Sequence, residues 1–167
     1  LAGAKSPIIV AGRRVMRSGA AAEVGDLAEQ SGALLSTTLL ARGMFDHNPF
    51  SIGVAGGFAS DVAREVGAQA DLVIAIGSSL NYYTVDGGHM FPKAEVAQID
   101  TEPLGLRNGL KAADLYLRAD AKLAAAEALA RLRARGAGKA SIRSPEIART
   151  RTVRPPSGWS ARCRSGP

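Results

Sequence analysis

Short runs of apolar residues recur along most of the chain, and polar or glycine-containing segments separate them. Each run is only three to five residues long, which is typical of a strand rather than a helix. Their spacing predicts six β-strands joined by crossover connections. The runs are Ile8–Ala11, Ala33–Thr37, Ser51–Ala55, Leu72–Ile76, Glu95–Ile99 and Leu115–Leu117.

The segments between these runs have helical character. In the first of them, Val24, Leu27 and Ala28 recur near the 3.6-residue period and share one face. A further helix is expected to begin at Glu102-Pro103, because proline is tolerated in a first turn. Strands that alternate with helices predict an α/β fold, here a Rossmann-like three-layer domain with a six-stranded, mostly parallel sheet. The other predicted helices are Ala20–Gln30, Ser60–Val66 and Ala121–Arg133.

The run Leu72–Ile76 carries the strongest single signal. Five consecutive apolar residues, several of them β-branched, are typical of a strand that is buried on both faces. Gly77 follows directly, and glycine lets the backbone turn sharply or approach a bound group closely. Because open α/β sheets bind ligands at the carboxyl ends of their strands, we expect a site at this edge.

The segment Asn81–Lys93 is longer than an ordinary crossover connection, so it is predicted to be a functional loop or a short helix. It carries a cluster of large side chains: Tyr82, Tyr83, Met90 and Phe91. Exposed aromatic clusters commonly mark contacts. The cluster would either face a neighbouring domain or cover a ligand, and we expect the first.

The net charge of +6 arises in the C-terminal part of the chain. From Arg133 onward there are nine basic residues and one acidic residue, whereas the residues before it include twelve basic and fourteen acidic ones. The folded part therefore has no excess of positive charge that would favour nucleic acid. The segment 136–167 is rich in Arg, Ser, Pro and Gly, and we expect it to be disordered.

Three interpretations of this tail remain open. It is a linker to a further domain, an arm for nucleic acid or an acidic partner, or an out-of-frame ending, and its arginine content favours the last. The chain begins with Leu1 rather than Met, so we expect a piece of a longer polypeptide. No apolar run approaches the roughly 20 residues that cross a membrane. Cys163 is the only cysteine, which excludes an internal disulfide and fits a reducing cytoplasm.

An ordered set of short motifs carries a family resemblance. From about Lys5 to Leu132, the chain resembles the central domain of thiamine-diphosphate-dependent enzymes of the acetolactate synthase and 2-oxoacid decarboxylase superfamily. The motifs are Pro7–Gly12, Gly32-Ala33 leading to Thr37-Thr38, Arg42-Gly43 and Asn48-Pro49 before Gly53 and Gly56, Ala70–Ser78, Val96–Asp100 with Glu102-Pro103, and Ala119–Ala121.

The resemblance implies that residues 5–132 are the middle of three domains in a thiamine-diphosphate-dependent lyase or transferase. In the family, thiamine diphosphate and Mg²⁺ are held by the first and third domains of paired subunits. The expected partners are therefore the other domains and subunits of a homo-oligomeric parent enzyme. Neither Gly25-Asp26 nor Asp86–Gly88 continues into the family's magnesium-binding motif. We therefore expect no catalytic residue and no metal site in this chain.

A nucleotide site is the one binding function that the resemblance leaves to this domain, because some relatives hold flavin adenine dinucleotide or an adenosine diphosphate moiety there. Small residues at strand ends allow close approach, and helix N-termini favour phosphate. Asp100 suits a ribose or an adenine. The alternative is that the glycines only make turns. The candidate residues are Gly12, Thr37, Thr38, Gly56, Gly77, Ser78, Asp100 and Asp120.

Two departures from the flavin-binding relatives weaken this expectation. Arg13-Arg14 follows Gly12 where those relatives carry glycines, and these side chains would either hold phosphate or fill the space. Ser78–Asn81 lacks the arginine that they carry after the fourth strand. The leading interpretation is a scaffold domain, and the alternative is a stand-alone module for FAD or ADP. A sirtuin-type enzyme is disfavoured because it needs paired cysteines.

Overall fold

The computed structural model describes residues 1–102 and 113–150, and its six strands form a single sheet. The strand order is β3-β2-β1-β4-β5-β6, and all five neighbouring pairs are parallel. The predicted α/β fold with a six-stranded sheet is thus confirmed. The strands are β1 (Pro7–Ala11), β2 (Leu34–Thr37), β3 (Ser51–Val54), β4 (Leu72–Ile76), β5 (Glu95–Asp100) and β6 (Leu115–Arg118).

Six α-helices connect and follow the strands within the described residues. Two of them are too short for a periodic signal: the one at Arg13–Arg17, which the sequence analysis missed, and the one inside the segment Asn81–Lys93. The helix expected from Glu102-Pro103 lies outside the described residues. The helices are α1 (Arg13–Arg17), α2 (Ala21–Ser31), α3 (Asp61–Ala68), α4 (Tyr82–Val85), α5 (Ala121–Ala134) and α6 (Pro145–Thr150).

Both faces of the sheet are covered at its central strands, which explains their unbroken apolar runs. Every residue of β1 is buried. Ile9 packs in the core beneath α2 and α5, whereas Ile8 packs in the core beneath α3. A strand between two layers must be apolar on both sides, so it loses the alternation of a half-exposed strand.

The aromatic cluster of the β4–β5 connection divides between core and surface. Tyr82 and Tyr83 are exposed, and their rings meet edge to face with centroids 5.8 Å apart. Met90 and Phe91 are buried in the core beneath α3. The expectation that all four face a neighbouring domain is therefore wrong for Met90 and Phe91, whose burial completes the domain's own core.

Asp71 links the amino-terminal ends of the two central strands, β1 and β4, by hydrogen bonds. Its carboxylate accepts hydrogen bonds from the backbone N–H groups of Lys5, at 2.7 Å, and Ser6, at 2.9 Å. Burial by itself raises the pKa of Asp71, but these donors outweigh it and hold the pKa below the ordinary value. The acidic residue before the β4 run thus has a structural role at the edge opposite the predicted site.

The segment after α5 lies against the domain, which corrects the expectation of disorder for residues 137–150. The backbone N–H of Ala140 donates to the carbonyl of Ser31, and Ile142 and Ile147 pack against the core beneath α3. Two isoleucines in a polar stretch gave no periodic signal, so the composition hid their burial. Trp159 and Cys163 lie outside the described residues. Among the residues that the structure describes, no helix has the length and apolar content to cross a membrane.

Candidate functional site

The carboxyl ends of β1 and β4 meet in the middle of the sheet. Both strands point the same way and pair along their whole length, from Pro7 with Leu72 to Ala11 with Ile76. In the sheet, β2 lies beside β1 on one side of this pair, and β5 lies beside β4 on the other side. The strand order therefore reverses between them, and a crevice at such a switch point is the usual ligand site of an open α/β sheet.

Gly12 and Gly77 bring the loops after β1 and β4 into direct contact. The backbone N–H of Gly12 donates to the carbonyl of Ile76 at 2.8 Å, and that of Arg14 donates to the carbonyl of Gly77 at 3.2 Å. A Cβ atom at Gly12 would lie 2.1 Å from the Gly77 oxygen. Gly77 has φ +60°, and a Cβ there would lie 2.8 Å from the Val15 nitrogen. The space that these glycines leave is filled by the protein itself.

Gly56 has the same role between the β3–α3 connection and α4. Its φ is +84°, and a Cβ atom there would lie 1.9 Å from the carbonyl oxygen of Tyr83 and 2.6 Å from that of Thr84. Asn81 caps the amino-terminal end of α4, and its side chain accepts a hydrogen bond from the Thr84 N–H. Gly56 therefore lets two connections at the carboxyl edge of the sheet touch, in agreement with a turn-forming role for this glycine.

A cavity of about 390 Å³ opens at this edge beside the contact between the two loops. Thr38 and Ser78 lie in its wall, and exposed apolar side chains surround it, among them Leu40, Phe58 and Tyr83. An apolar cavity with a few polar groups is typical of sites for small organic ligands.

A second cavity, of about 320 Å³, lies on the other side of Arg14, which lines both cavities together with Gly77. Asp100 at the end of β5 lies in its wall with a completely buried side chain. One carboxylate oxygen of Asp100 pairs with the Arg14 guanidinium and accepts the Glu102 N–H at 3.2 Å. The other oxygen, Oδ2, has no hydrogen-bond partner among the described residues. A buried, unpaired carboxylate oxygen is costly unless a donor reaches it.

The Arg14 side chain thus separates the two cavities and neutralises the acid. It also pairs with Glu102, Nη2 to Oε2 at 3.1 Å, and its side chain remains about one third exposed at 29%. The sequence left two roles open for Arg13-Arg14, namely to hold phosphate or to fill the space that glycines leave in flavin-binding relatives. In the structure, Arg14 partly fills this space and keeps an accessible cationic face. The pairing joins residues 86 positions apart, so no local pattern could have indicated it.

The remaining candidate residues have structural partners. Asp120 caps α5, because its carboxylate accepts the N–H groups of Lys122 and Leu123, and it also lines the second cavity. Thr37 is buried at the end of β2, and its carbonyl accepts the Ala55 N–H. The carbonyl of Ser78 accepts a hydrogen bond from Gln98, a buried amide that the sequence analysis did not single out.

The structure brings most of the predicted residues to one edge. Thr38, Gly77 and Ser78 lie at the first cavity, and Gly77, Asp100 and Asp120 lie at the second. In contrast, Gly12, Thr37 and Gly56 are not among the residues that line these two cavities. Among the described residues, no three His, Cys, Asp or Glu side chains lie together as metal ligands would.

A comparison with protein families decides which group of proteins this architecture represents. Residues 1–131 match the family described as "Thiamine pyrophosphate enzyme, central domain". The chain belongs to this family. The resemblance inferred from the short motifs is thereby confirmed, and the two cavities lie at the carboxyl edge of a thiamine pyrophosphate enzyme central domain.

Curated relatives of this central domain are much longer than the chain. It is 32% identical over 134 residues to a "Probable acetolactate synthase large subunit" from Methanocaldococcus jannaschii, covering 79% of the chain and 22% of that protein. It is 36% identical over 134 residues to "Sulfoacetaldehyde acetyltransferase" from Alcaligenes xylosoxydans, covering 77% and 22%. The central domain thus spans about a fifth of the length of the curated relatives it matches.

A solved structure shows the same fold. An X-ray structure from Mycobacterium smegmatis, described as a thiamin diphosphate-dependent enzyme, superposes with a TM-score of 0.58 over 77% of this chain and 25% of that chain. The sequences are 24% identical, so this likeness concerns the architecture alone. The Rossmann-like α/β arrangement is therefore found within a longer chain.

Proposed function

We propose that this chain is a non-catalytic scaffold domain in a larger thiamine-diphosphate-dependent enzyme of the acetolactate synthase or acetyltransferase type. The observation that carries the proposal is the family match over residues 1–131, combined with coverage of about a fifth of the relatives' length. The remaining length of the parent provides the other domains. The same proposal includes a cytoplasmic, homo-oligomeric parent, with 2-oxoacid decarboxylation as its alternative reaction.

Thiamine diphosphate and Mg²⁺ would be held by those other domains. The family match covers a central domain that spans about a fifth of the relatives' length, which leaves the cofactor to the rest of the parent. We therefore assign to this chain no step of the thiamine chemistry, which is the formation and cleavage of bonds to a carbonyl carbon. A titration of thiamine diphosphate and Mg²⁺ into the purified chain tests this assignment and is expected to give no saturable binding.

The exposed rim of the first cavity supports the scaffold role. Leu40, Phe58 and Tyr83 are 66%, 60% and 67% exposed, so large apolar side chains stand beside one another at the carboxyl edge of the sheet. Exposed apolar patches next to a cavity mark interaction sites. In the parent enzyme these side chains would be covered by a neighbouring domain or by a ligand held between two domains.

A nucleotide with an adenosine diphosphate moiety, as in ADP or FAD, is the ligand that this edge fits best. Asp100 lines the second cavity at the end of β5, where an acidic residue suits a ribose hydroxyl. The exposed face of Arg14 would pair with phosphate between the two cavities. Flavin in place of ADP would place its ring system in the first, apolar cavity.

Replacing Arg14 with alanine is expected to weaken ADP binding by at least about tenfold, because a charge-assisted phosphate contact is lost. The measurement is isothermal titration of ADP into the full chain. Arg17→Ala is the matched control, since Arg17 also lines the second cavity and is exposed, yet the ion pair with Asp100 is made by Arg14 and not by Arg17. The control should bind ADP within about twofold of the unmodified chain.

Either of two results would count against the nucleotide site. One is the absence of ADP binding by the unmodified chain, and the other is equal weakening by Arg14→Ala and Arg17→Ala. A flavin absorbance band in the purified protein would distinguish bound FAD from free ADP. The scaffold role survives a negative result, because it rests on the family match and not on the cavities.

A further inference from the structure

We propose that residues 137–147 form a strap that ties the end of α5 across the amino-terminal edge of the sheet and fixes where the following chain leaves the domain. Ala137 packs against the core beneath α2 and α5, whereas Ile142 and Ile147 pack against the core beneath α3. Between these contacts, the strap bonds to residues just before β2 and β3. It therefore passes from one face of the sheet to the other.

Arg143 is the central contact of the strap. Its side chain is only 9% exposed. Its Nε and Nη2 atoms donate to the carbonyl oxygen of Ala33 at 3.1 and 2.9 Å, and Nη1 pairs with Glu29. Its guanidinium carbon lies 4.5 Å from the ring centroid of Phe50. One planar cation thus contacts the end of α2, the residue before β2 and the residue before β3, which a point charge such as lysine cannot do.

Gly32 lets the strap approach the backbone closely. The N–H of Ala140 donates to the Ser31 carbonyl at 2.8 Å. A Cβ atom at Gly32 would lie 2.6 Å from the Ala140 nitrogen and 2.8 Å from the Ala140 oxygen. Gly32 also ends α2 in the left-handed conformation, with φ +73°. A side chain at this position would therefore strain the helix end and push the strap away.

Electrostatic contacts add to this docking at the surface. Lys139 pairs with Glu29, Nζ to Oε1 at 2.5 Å, so two cations of the strap share one acid. The hydrogen bond from Lys139, followed by that from Arg143, holds the pKa of Glu29 below its ordinary value, and burial opposes this only in part. Glu29 and Lys139 are more than half exposed, so their pair contributes little compared with the buried Arg143 contacts.

The strap lies outside residues 1–131, so the family match does not account for it. Its hydrogen bonds, ion pairs and apolar contacts all fit the surface beneath it, which an out-of-frame ending would not be expected to do. We therefore infer that residues 137–147 are a native part of the fold. They lead the chain to the amino-terminal edge, opposite the two cavities. If the proposed scaffold role holds, the strap directs the next segment of the parent away from the cavities and leaves them free for a different neighbour.

The test is protease cleavage after Lys139 in the full chain, followed by mass spectrometry under native conditions. Cleavage needs local detachment of the strap, so its rate reports the strap's opening. Arg143→Ala is expected to raise the rate by at least about tenfold, with faster hydrogen exchange at the Ala140 amide. Arg135→Ala removes the same charge from the exposed end of α5 and should change the rate by less than about twofold.

A pair of glycine variants tests the strap without changing any charge. Gly32 and Gly19 both have positive φ, but a Cβ at Gly19 would meet nothing within 4 Å. Both alanine variants carry similar backbone strain, and only Gly32→Ala displaces the strap. Gly32→Ala should be cleaved after Lys139 at least about tenfold faster than Gly19→Ala.

The outcomes separate clearly. Equal cleavage rates for Arg143→Ala and the unmodified chain would overturn the proposal. If Arg143→Ala instead loses its far-ultraviolet circular dichroism, the pair of glycine variants decides. Equal cleavage rates for Gly32→Ala and Gly19→Ala would overturn the proposal, and a tenfold difference between them would support it. ADP binding plays no part in these measurements, so a failure of the nucleotide site leaves them unaffected.

Discussion

Replacing Gly12 with alanine is expected to lower the free energy of unfolding by about 3 kcal/mol or more. The added Cβ would lie 2.1 Å from the Gly77 carbonyl oxygen, and both partners are backbone atoms. The loops cannot separate easily, because the N–H groups of Gly12 and Arg14 bond to Ile76 and Gly77 across the contact. Gly12 has φ −101°, which alanine adopts readily, so the loss is steric and not conformational.

The measurement is chemical denaturation of the full chain, and Gly25→Ala is its control. Gly25 lies inside α2, where a Cβ would meet nothing within 4 Å. Alanine is the better helix former, so this variant should gain up to about 1 kcal/mol. If Gly12→Ala unfolds within about 0.5 kcal/mol of the unmodified chain, the contact between the β1 and β4 loops is not as described.

The second large effect is expected at Gly56, with Gly53 as a matched control. Their φ values are +84° and +82°, so alanine pays the same left-handed strain of about 1 kcal/mol at either position. Only at Gly56 would the new Cβ meet backbone, 1.9 Å from the Tyr83 oxygen. Gly56→Ala should therefore lose at least about 2 kcal/mol more unfolding free energy than Gly53→Ala, measured by the same denaturation.

The difference between these two variants isolates the contact between Gly56 and α4 from backbone strain. Equal losses of unfolding free energy for the two variants would mean that α4 moves to accommodate the new side chain. The carboxyl edge of the sheet would then deform more easily than its hydrogen bonds indicate. A larger loss at Gly56 would confirm that the edge with the two cavities is built by close backbone packing.

The central strands were predictable because a strand that is buried on both faces has a continuous apolar sequence. Leu72–Ile76 and Ile8–Ala11 are continuous apolar runs, and the structure places both in the middle of the sheet. The helix at Arg13–Arg17 was missed because five residues give little more than one turn of periodicity. Composition misled in the tail, where a few well-placed residues such as Ile142 and Arg143 outweigh a polar background.

The candidate site was predictable in position but not in detail. A glycine after a strand fits a ligand contact and a loop contact equally well, and the two differ only in what a Cβ would meet. At Gly12, Gly56 and Gly77 it would meet the protein's own backbone. The pairing of Arg14 with Asp100 and the unpaired Oδ2 atom depend on the strand order, which brings together loops that are distant in the sequence.

Titration of thiamine diphosphate with Mg²⁺ into the purified chain tests the central claim most directly, namely that this domain supports a thiamine enzyme without holding its catalytic cofactor. Isothermal titration calorimetry with both components in excess measures it, at the protein concentration used for ADP. If the domain does not hold the cofactor, the titration gives heats of dilution only and no saturable binding. Saturable one-to-one binding that requires Mg²⁺ would contradict it.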